Sequence, residues 1–289
     1  IKAPDKTLSE IFREAGKRAL GGGIPGAIAM GLQVGTLMWL RTTVNMQYAK
    51  GGTTTEAFRT LYKEGGVRRF YRGVGPALMQ GPLSRFGDTA ANAGVMSLME
   101  SSDSTRSLPT AVKTAAASGT AALWRIVLMP IDTMKTMLQV NGADGVAVLR
   151  GKLAASGPRA LYAGALAAAS ATAAGHYPWF LTYNTLNTLI PEQDGKALSL
   201  LRSAVMGFTS SAVSDTTSNS IRVIKTTKQT SEVALTYGEA ARKVIAADGL
   251  IGLFGRGLKT KILANGVQGL LFAVLWKSIQ EALFPKEDQ

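Results

Sequence analysis

"MPIDTMKTMLQ", residues 129–139, decides the fold. It overlaps the end of an apolar run, "ALWRIVLMP" (122–130). Pro130 has no backbone N–H and breaks or kinks a helix. Asp132 and Lys135 follow it, where a membrane helix has to bury them, and ionised groups there need a partner or water. Gln139 ends the stretch. A Gln also ends "RTTVNMQ" at 47 and "RVIKTTKQ" at 229, 92 and 90 residues away. Gly73 ("YRG"), Gly164 ("YAG") and Gly257 ("GRG") are 91 and 93 residues apart. "EGG" (64–66), "SGP" (156–158) and "DGL" (248–250) precede them. Three markers hold one period of about 91 residues, the signature of a repeated unit.

Each unit reads alike. An apolar helix rich in small residues runs to the Gln (20–47, 110–139, 200–229). A short amphipathic segment follows, its apolar and charged faces suited to an interface. A second apolar helix starts at the glycine (73–100, 164–190, 257–283). The expected fold is an all-α membrane protein with six transmembrane helices in three pseudo-symmetric repeats, each with a short amphipathic surface helix. One domain spans 1–289, with repeats at 17–104, 105–195 and 196–289. The 50–72 connector carries six Lys/Arg against two Glu, whereas 101–108 and 191–196 are neutral or acidic. Positive residues stay on the side of insertion, so the three amphipathic segments share one face and the termini lie on the other. Gly22/Gly26 and Gly31/Gly35 have the small-xxx-small spacing that lets helices approach closely in lipid.

Bulk properties leave room for a soluble alternative. The 289 residues are 46% hydrophobic, with mean hydropathy +0.12. Few windows reach the ~18 uninterrupted apolar residues of a typical span. The formal net charge of +13 suits an anionic membrane surface. It comes without a zinc-finger or RNA-recognition signature, so no nucleic acid is expected. There is no cysteine and one histidine, which removes disulfides and makes a metal site improbable on composition. No Ser/His/Asp constellation or phosphate-binding loop is visible, so neither an enzyme nor a cofactor is expected. The first residue is Ile1, which leaves room for a leader upstream.

The chain resembles the mitochondrial carrier family over essentially its whole length. "PIDTMKTMLQ" (130–139) matches the family's Pro-x-Asp/Glu-x-x-Lys/Arg signature with its later Gln, "EGGVRRFYRG" (64–73) the motif that follows, and "YRGVGPAL" (71–78) the start of an even helix. Only the middle repeat is intact. The proline position is Met38, Pro130 and Ser220, the acidic position Leu40, Asp132 and Arg222, and the basic position Thr43, Lys135 and Lys225.

The resemblance implies an inner gate in which each acid pairs with the base of the next repeat. Here the pairs would be Leu40–Lys135, Asp132–Lys225 and Arg222–Thr43, so one survives, and Lys135 and Arg222 have no partner in the scheme. The family's bracing glutamines persist as Gln47, Gln139 and Gln229. A charged outer gate is largely lost: "DTAAN", "TYNTLN" and "LWKSIQ" leave Lys277 as the clearest remnant.

Five residues before the proline position stand Gln33, Arg125 and Asp215. Arg125 and Asp215 either hold a solute or bridge each other and lock the bundle. The resemblance places further cavity contacts at Met79 and Gln80, at Ser170, Ala171 and Thr172, and at Leu263, Ala264 and Asn265. None is charged, which argues against a nucleotide or tricarboxylate and leaves a smaller or zwitterionic solute. Arg85 and Asp88 are spaced for a local pair. His176 is a packing or titrating histidine, and Tyr177, Trp179 and Tyr183 read as interfacial aromatics.

The resemblance also implies cardiolipin at the starts of the even helices, on Gly73, Gly164 and Gly257, where exposed N–H groups bind phosphate, with charge from Arg72 and Arg256. The expected function is movement of a small solute by alternating access across the mitochondrial inner membrane as a multi-pass protein, with plastid envelope or peroxisomal membrane as other locations. The rival is a transport-inactive carrier-like protein that serves as a subunit of a membrane complex.

Overall fold

The computed structural model describes residues 23–101, 103–192 and 195–268, and among them the chain is helical with no strand. The first unit comprises α1 (Gly23–Lys50), α2 (Thr54–Phe70) and α3 (Val74–Ser101). The second comprises α4 (Thr110–Val127), α5 (Met129–Asn141), α6 (Gly145–Ser156) and α7 (Ala165–Leu189). The third comprises α8 (Lys196–Thr230), α9 (Tyr237–Gly255) and the helical stretch 258–268, here α10.

One residue explains why the middle unit has an extra helix. α1 and α8 run 28 and 35 residues without a break through Met38 and Ser220. The corresponding helix of the second unit ends at Leu128 and restarts as α5 with Pro130 in its first turn. That turn is where a missing N–H costs no hydrogen bond. Asp132 N–H donates to Leu128 O at 3.0 Å to open α5.

The surface helices start by two routes. Thr53 and Thr236 each form a reciprocal capping box, with Glu56 and Glu239 respectively. Hydrogen bonds donated by the threonine backbone and side chain hold both carboxylates below their ordinary pKa. Their capping is therefore full above the usual carboxylate range and is lost as pH falls through the depressed values. α6 lacks such a cap and follows a 3-10 turn at Gly142–Asp144.

The units interlock cyclically. Gly73, Gly164 and Gly257 have φ of 84°, 88° and 66°, a left-handed conformation open to glycine. Each lies against the long helix of another unit. A Cβ would come within 2.9 Å of Lys135 O at Gly73, 3.3 Å of Lys225 O at Gly164 and 3.3 Å of Val44 O at Gly257. The period seen in the sequence is thus a repeated backbone contact.

Buried cations follow the same cycle. Arg69 donates to Gln139 O and Val140 O at 2.7 and 2.8 Å. Lys152 donates to Gln229 O and Ser231 O at 2.9 and 3.0 Å. Arg256 reaches Ala49 O at 3.5 Å. Each satisfies terminal carbonyls of a long helix from another unit and complements its dipole. Burial, with a contribution from Lys228, lowers the pKa of the Lys152 amine. The inner halves of α1, α5 and α8 also pack on one another, closing that end.

Polar side chains are buried beside the apolar core, and many large apolar ones are exposed. Gln33, Asp132, Ser210, Asp215, Asn219 and Gln229 are buried, while Leu123, Val127, Leu166, Leu189, Leu201 and Leu263 are exposed. Hydroxyls bond carbonyls of their own helix, as Ser210 does to Met206 O and Thr230 to Thr226 O, so they need no water. Among the described residues, no helix is long and apolar enough to cross a membrane on hydropathy.

The small-residue spacing acts elsewhere than expected. A Cβ at Gly31 or Gly35 meets nothing among the described residues, whereas Gly87 abuts the Trp124 ring and Gly175 abuts Ser214 Oγ. Gly22 and the surroundings of Gly26 lie outside the described residues.

Gly73→Ala tests the interlock. Left-handed geometry costs alanine about 1–2 kcal/mol, and the close carbonyl adds to it. The thermal midpoint of the detergent-purified protein is expected to fall. Gly31→Ala, facing open space, is expected to leave it unchanged.

Candidate functional site: a charged cavity closed at one end

The closed end is built on Asp132. The break before α5 places this residue in a helix first turn, where the dipole favours an anion. Its Oδ1 accepts from Lys135 Nζ and Gln80 Nε2, both at 2.8 Å. Its Oδ2 accepts from Lys225 Nζ at 2.5 Å and Gln229 Nε2 at 3.3 Å. One carboxylate therefore joins α3, α5 and α8. Lys135 also donates to Gln80 Oε1 at 2.5 Å. The expectation that Lys135 lacks a partner is corrected: with no acid at position 40, it turns back to Asp132 one turn away.

Where the other signature charges are missing, packing replaces them. Leu40 is buried with Leu37 and Ala264, and Met38 with Val34 and Ala77. Thr43 bonds Trp39 O within its own helix. The three glutamines differ accordingly. Gln229 braces Asp132 and Thr133. Gln139 instead accepts from Asn45 at 2.6 Å and donates toward Thr42 and the Met38 sulfur, tying α5 to α1 through neutral groups. Gln47 closes the turn after α1 by donating to Gly52 O at 3.1 Å.

Beside the closed end lies a cavity of about 600 Å³. Its lining includes Arg125, Asp215, Gln80, Ala171, Thr172, Ala264 and Asn265 from the residues expected there. Met79, Ser170 and Leu263 are exposed on the outer face and do not line it. Their neighbours in the helical register do, so the register is shifted by one residue, about 100° of rotation. Gln33 is buried outside the lining and donates to Gln268 O at 3.2 Å.

Of the two readings of Arg125 and Asp215, a direct bridge is not seen. Arg125 donates to Ser84 Oγ. Asp215 accepts from Asn265 and faces Arg222 at 3.6 Å, so Arg222, seven residues on along α8, has a partner after all. Spacing along one helix brings them to the same face, a relation that comparing repeats does not reveal.

Sequence reasoning missed two cations. Arg41 and Lys261 line the cavity, Arg41 donating to Gln268 Oε1 at 2.8 Å and Lys261 to Asn265 Oδ1 at 3.1 Å. With Arg125, Lys135, Arg222 and Lys225, the described lining holds six cations against Asp132 and Asp215. The even-helix contacts read from the sequence are uncharged, and the positive charge of the lining comes from the odd helices and from Lys261.

His176 lines the cavity within 3.0 Å of Ser118 Oγ. Trp179 also lines it, bonded to Ser211 and stacked on Tyr183 at 5.0 Å. Tyr177 is exposed. The side chains of Arg85 and Asp88, and Lys277 entirely, lie outside the described residues. Arg256 is buried and paired with Asp248 at 2.8 Å, so it is turned into the protein and not toward a lipid phosphate. Arg72 is exposed.

Removing the Asp132 carboxylate strands two amines, whereas removing Lys225 leaves Lys135 as counter-charge. Asp132→Asn is expected to destabilise the closed form by about 3–5 kcal/mol, and Lys225→Gln by clearly less. Thermal midpoints of the two variants decide; equal losses would show that Lys135 does not share the carboxylate.

Residues 10–102, 106–194 and 196–287 each match the family model described as mitochondrial carrier protein. No curated protein matches the chain.

Proposed function

Because the chain belongs to the mitochondrial carrier protein family, whose members move solutes across membranes, we propose that it is an active carrier of the mitochondrial inner membrane working by alternating access. The observation that carries this reading is the cavity of about 600 Å³ ending at the Asp132–Lys225 pair. That volume suits a small solute. A carboxylate shared between helices of two units is a junction that can break and reform, as a two-state gate requires.

In this reading residues 1–289 form one carrier domain with six spanning helices. The exposed leucines and valines face lipid, and the buried polar side chains line or brace the solute path. The surface helices α2, α6 and α9 lie on the side from which the chain inserts. Their buried cations tie the inner ends of α1, α5 and α8 together in the closed form. Packing at Met38 and Leu40 leaves two seams held by apolar and neutral contacts, so the charged seam between α5 and α8 is the one whose opening is controlled by charge. Cardiolipin phosphates suit the starts of α3 and α7, at Gly73 with Arg72 and at Gly164. The start of α10 at Gly257 lacks that help, since Arg256 is committed to Asp248.

The rival role, a transport-inactive accessory subunit, needs no polar cavity at the bundle axis, and no contact among the described residues calls for it.

Reconstitution into cardiolipin-containing liposomes tests the reading. Uptake from a panel of labelled carboxylates, phosphate and amino acids is expected for the native chain. Asp132→Asn is expected to change the uptake rate at least several-fold while the cavity still binds, because the gate equilibrium and not the site is altered. No uptake across the panel, with normal folding and insertion, would count for the accessory-subunit role.

A further inference from the structure

We propose that Tyr48 is a solute contact, its phenol hydroxyl bonding an uncharged hydroxyl or amide group of the solute in a recess that runs along α1 past the level of the gate pair. This rests on the carrier reading above and adds a specificity residue to the same cavity.

The cavity does not end at one level all round. On α1 its lining passes Arg41 and continues through Val44 and Asn45 to Tyr48. Tyr48 lies five residues beyond Thr43, the gate position of that helix, which is about 7.5 Å along the axis. Thr136 and Thr226, the repeat equivalents of Val44, line the same end, as does Gln139. Asn45 and Gln139 are bonded to each other at 2.6 Å. These residues flank α1, whose gate positions Leu40 and Thr43 carry no charge.

Tyr48 differs from its counterparts in the other units. Val140 is packed with Met46, Leu61 and Phe70, and Thr230 bonds Thr226 O of its own helix at 2.8 Å. Neither lines the cavity. The Tyr48 ring is held by Val44, Val223, Val244 and Leu253. The glycine turn at 257 closes on the same ring, where a Cβ would come within 2.9 Å of Cε1. The Tyr48 carbonyl accepts from Thr227 at 3.3 Å. The hydroxyl is what remains. Among the described lining residues, it is the buried side-chain N or O atom without a hydrogen-bond partner. Burying a hydroxyl unbonded is costly, and a ring gripped this way cannot swing to find another partner. A solute group entering the recess supplies one.

The recess selects a neutral group. Val44, Asn45, Thr136, Gln139 and Thr226 carry no charge. Lys135 and Lys225, next in sequence to the two threonines, are both bonded to Asp132, at 2.8 and 2.5 Å. An ionised group in the recess would be buried without a counter-charge, which costs far more than burying an amide or hydroxyl that is bonded. A hydroxyl or amide both donates and accepts, so it can meet Tyr48 and a threonine hydroxyl together. A charged end of the same solute stays in the wider part of the cavity, where Asp215 and Lys261 line the wall. A site built to bond a solute hydroxyl or amide rejects the analogue that lacks it, because its own buried group is then left unpaired.

The test uses the full chain, by thermal shift in detergent and by uptake in liposomes, with pairs of probes that differ at one group: serine and alanine, threonine and 2-aminobutyrate, glutamine and norvaline. In at least one pair the hydroxyl or amide member is expected to bind about fivefold more tightly and to be taken up. Tyr48→Phe is expected to remove that preference without lowering the Tm of the empty protein, since it deletes a hydroxyl that had no partner. A lower empty Tm for Tyr48→Phe shows that the hydroxyl is bonded within the fold and overturns the contact. A preference that survives Tyr48→Phe overturns it as well. Uptake without preference in any pair, or uptake confined to carboxylates and phosphate, overturns the neutral-group assignment and leaves the carrier reading standing. No response to these probes or to the wider panel above, in either assay, overturns both readings.

Discussion

A single carboxylate organises the closed end of this protein. Asp132 accepts hydrogen bonds from two amines and two amides that arrive from α3, its own helix and α8. Buried charge is stable only when fully compensated, so each donor is constrained by the others. Gln80 is held because it bonds both Asp132 and Lys135. Gln229 is held because it bonds both Asp132 and Thr133. The direction of α5 itself follows from Pro130, which restarts the helix so that Asp132 falls in a first turn. Loss of this group would leave two amines facing each other at the closed end of the cavity.

Around that point the threefold plan persists in backbone contacts and lapses in side-chain charge. Glycines with positive φ and cations on terminal carbonyls recur in all three units. The gate charges survive in one seam. In the others, Leu40 and Met38 pack against small and aliphatic neighbours, and Gln139 with Asn45 supplies neutral hydrogen bonds. Apolar packing is non-directional and its strength does not depend on a neighbouring charge. In the proposed carrier, those seams are the passive sides of the gate, and the Asp132–Lys225 seam is the side that charge controls.

The same asymmetry explains the cavity. Arg222 stands where the family places an acid, so a gate position that normally carries negative charge adds positive charge instead. Asp215, buried two turns before it, compensates in part. The positive charge that Arg222 brings to the cavity lining is thus a product of gate erosion.

Much of this was legible in residue order. The repeat, the break at Pro130, the Asp132–Lys225 register and the surface helices all follow from local patterns or from one period along the chain, and such patterns survive translation into structure because each depends on neighbours in sequence. The helix bounds that fall among the described residues matched to within a few residues for the same reason. The lining of the cavity did not follow. Met79, Ser170 and Leu263 turned outward while Gln80, Ala171 and Ala264 turned in, because one residue of register is about 100° of helix rotation and no repeat marker fixes rotation that finely. Lys135 found Asp132, Arg222 found Asp215, and Arg41 and Lys261 joined them, only once three units had converged. The sequence by itself determined the units, their order and the one intact charge pair; the tertiary structure decided which charges meet, because that depends on how helix faces distant in the chain rotate toward a common axis.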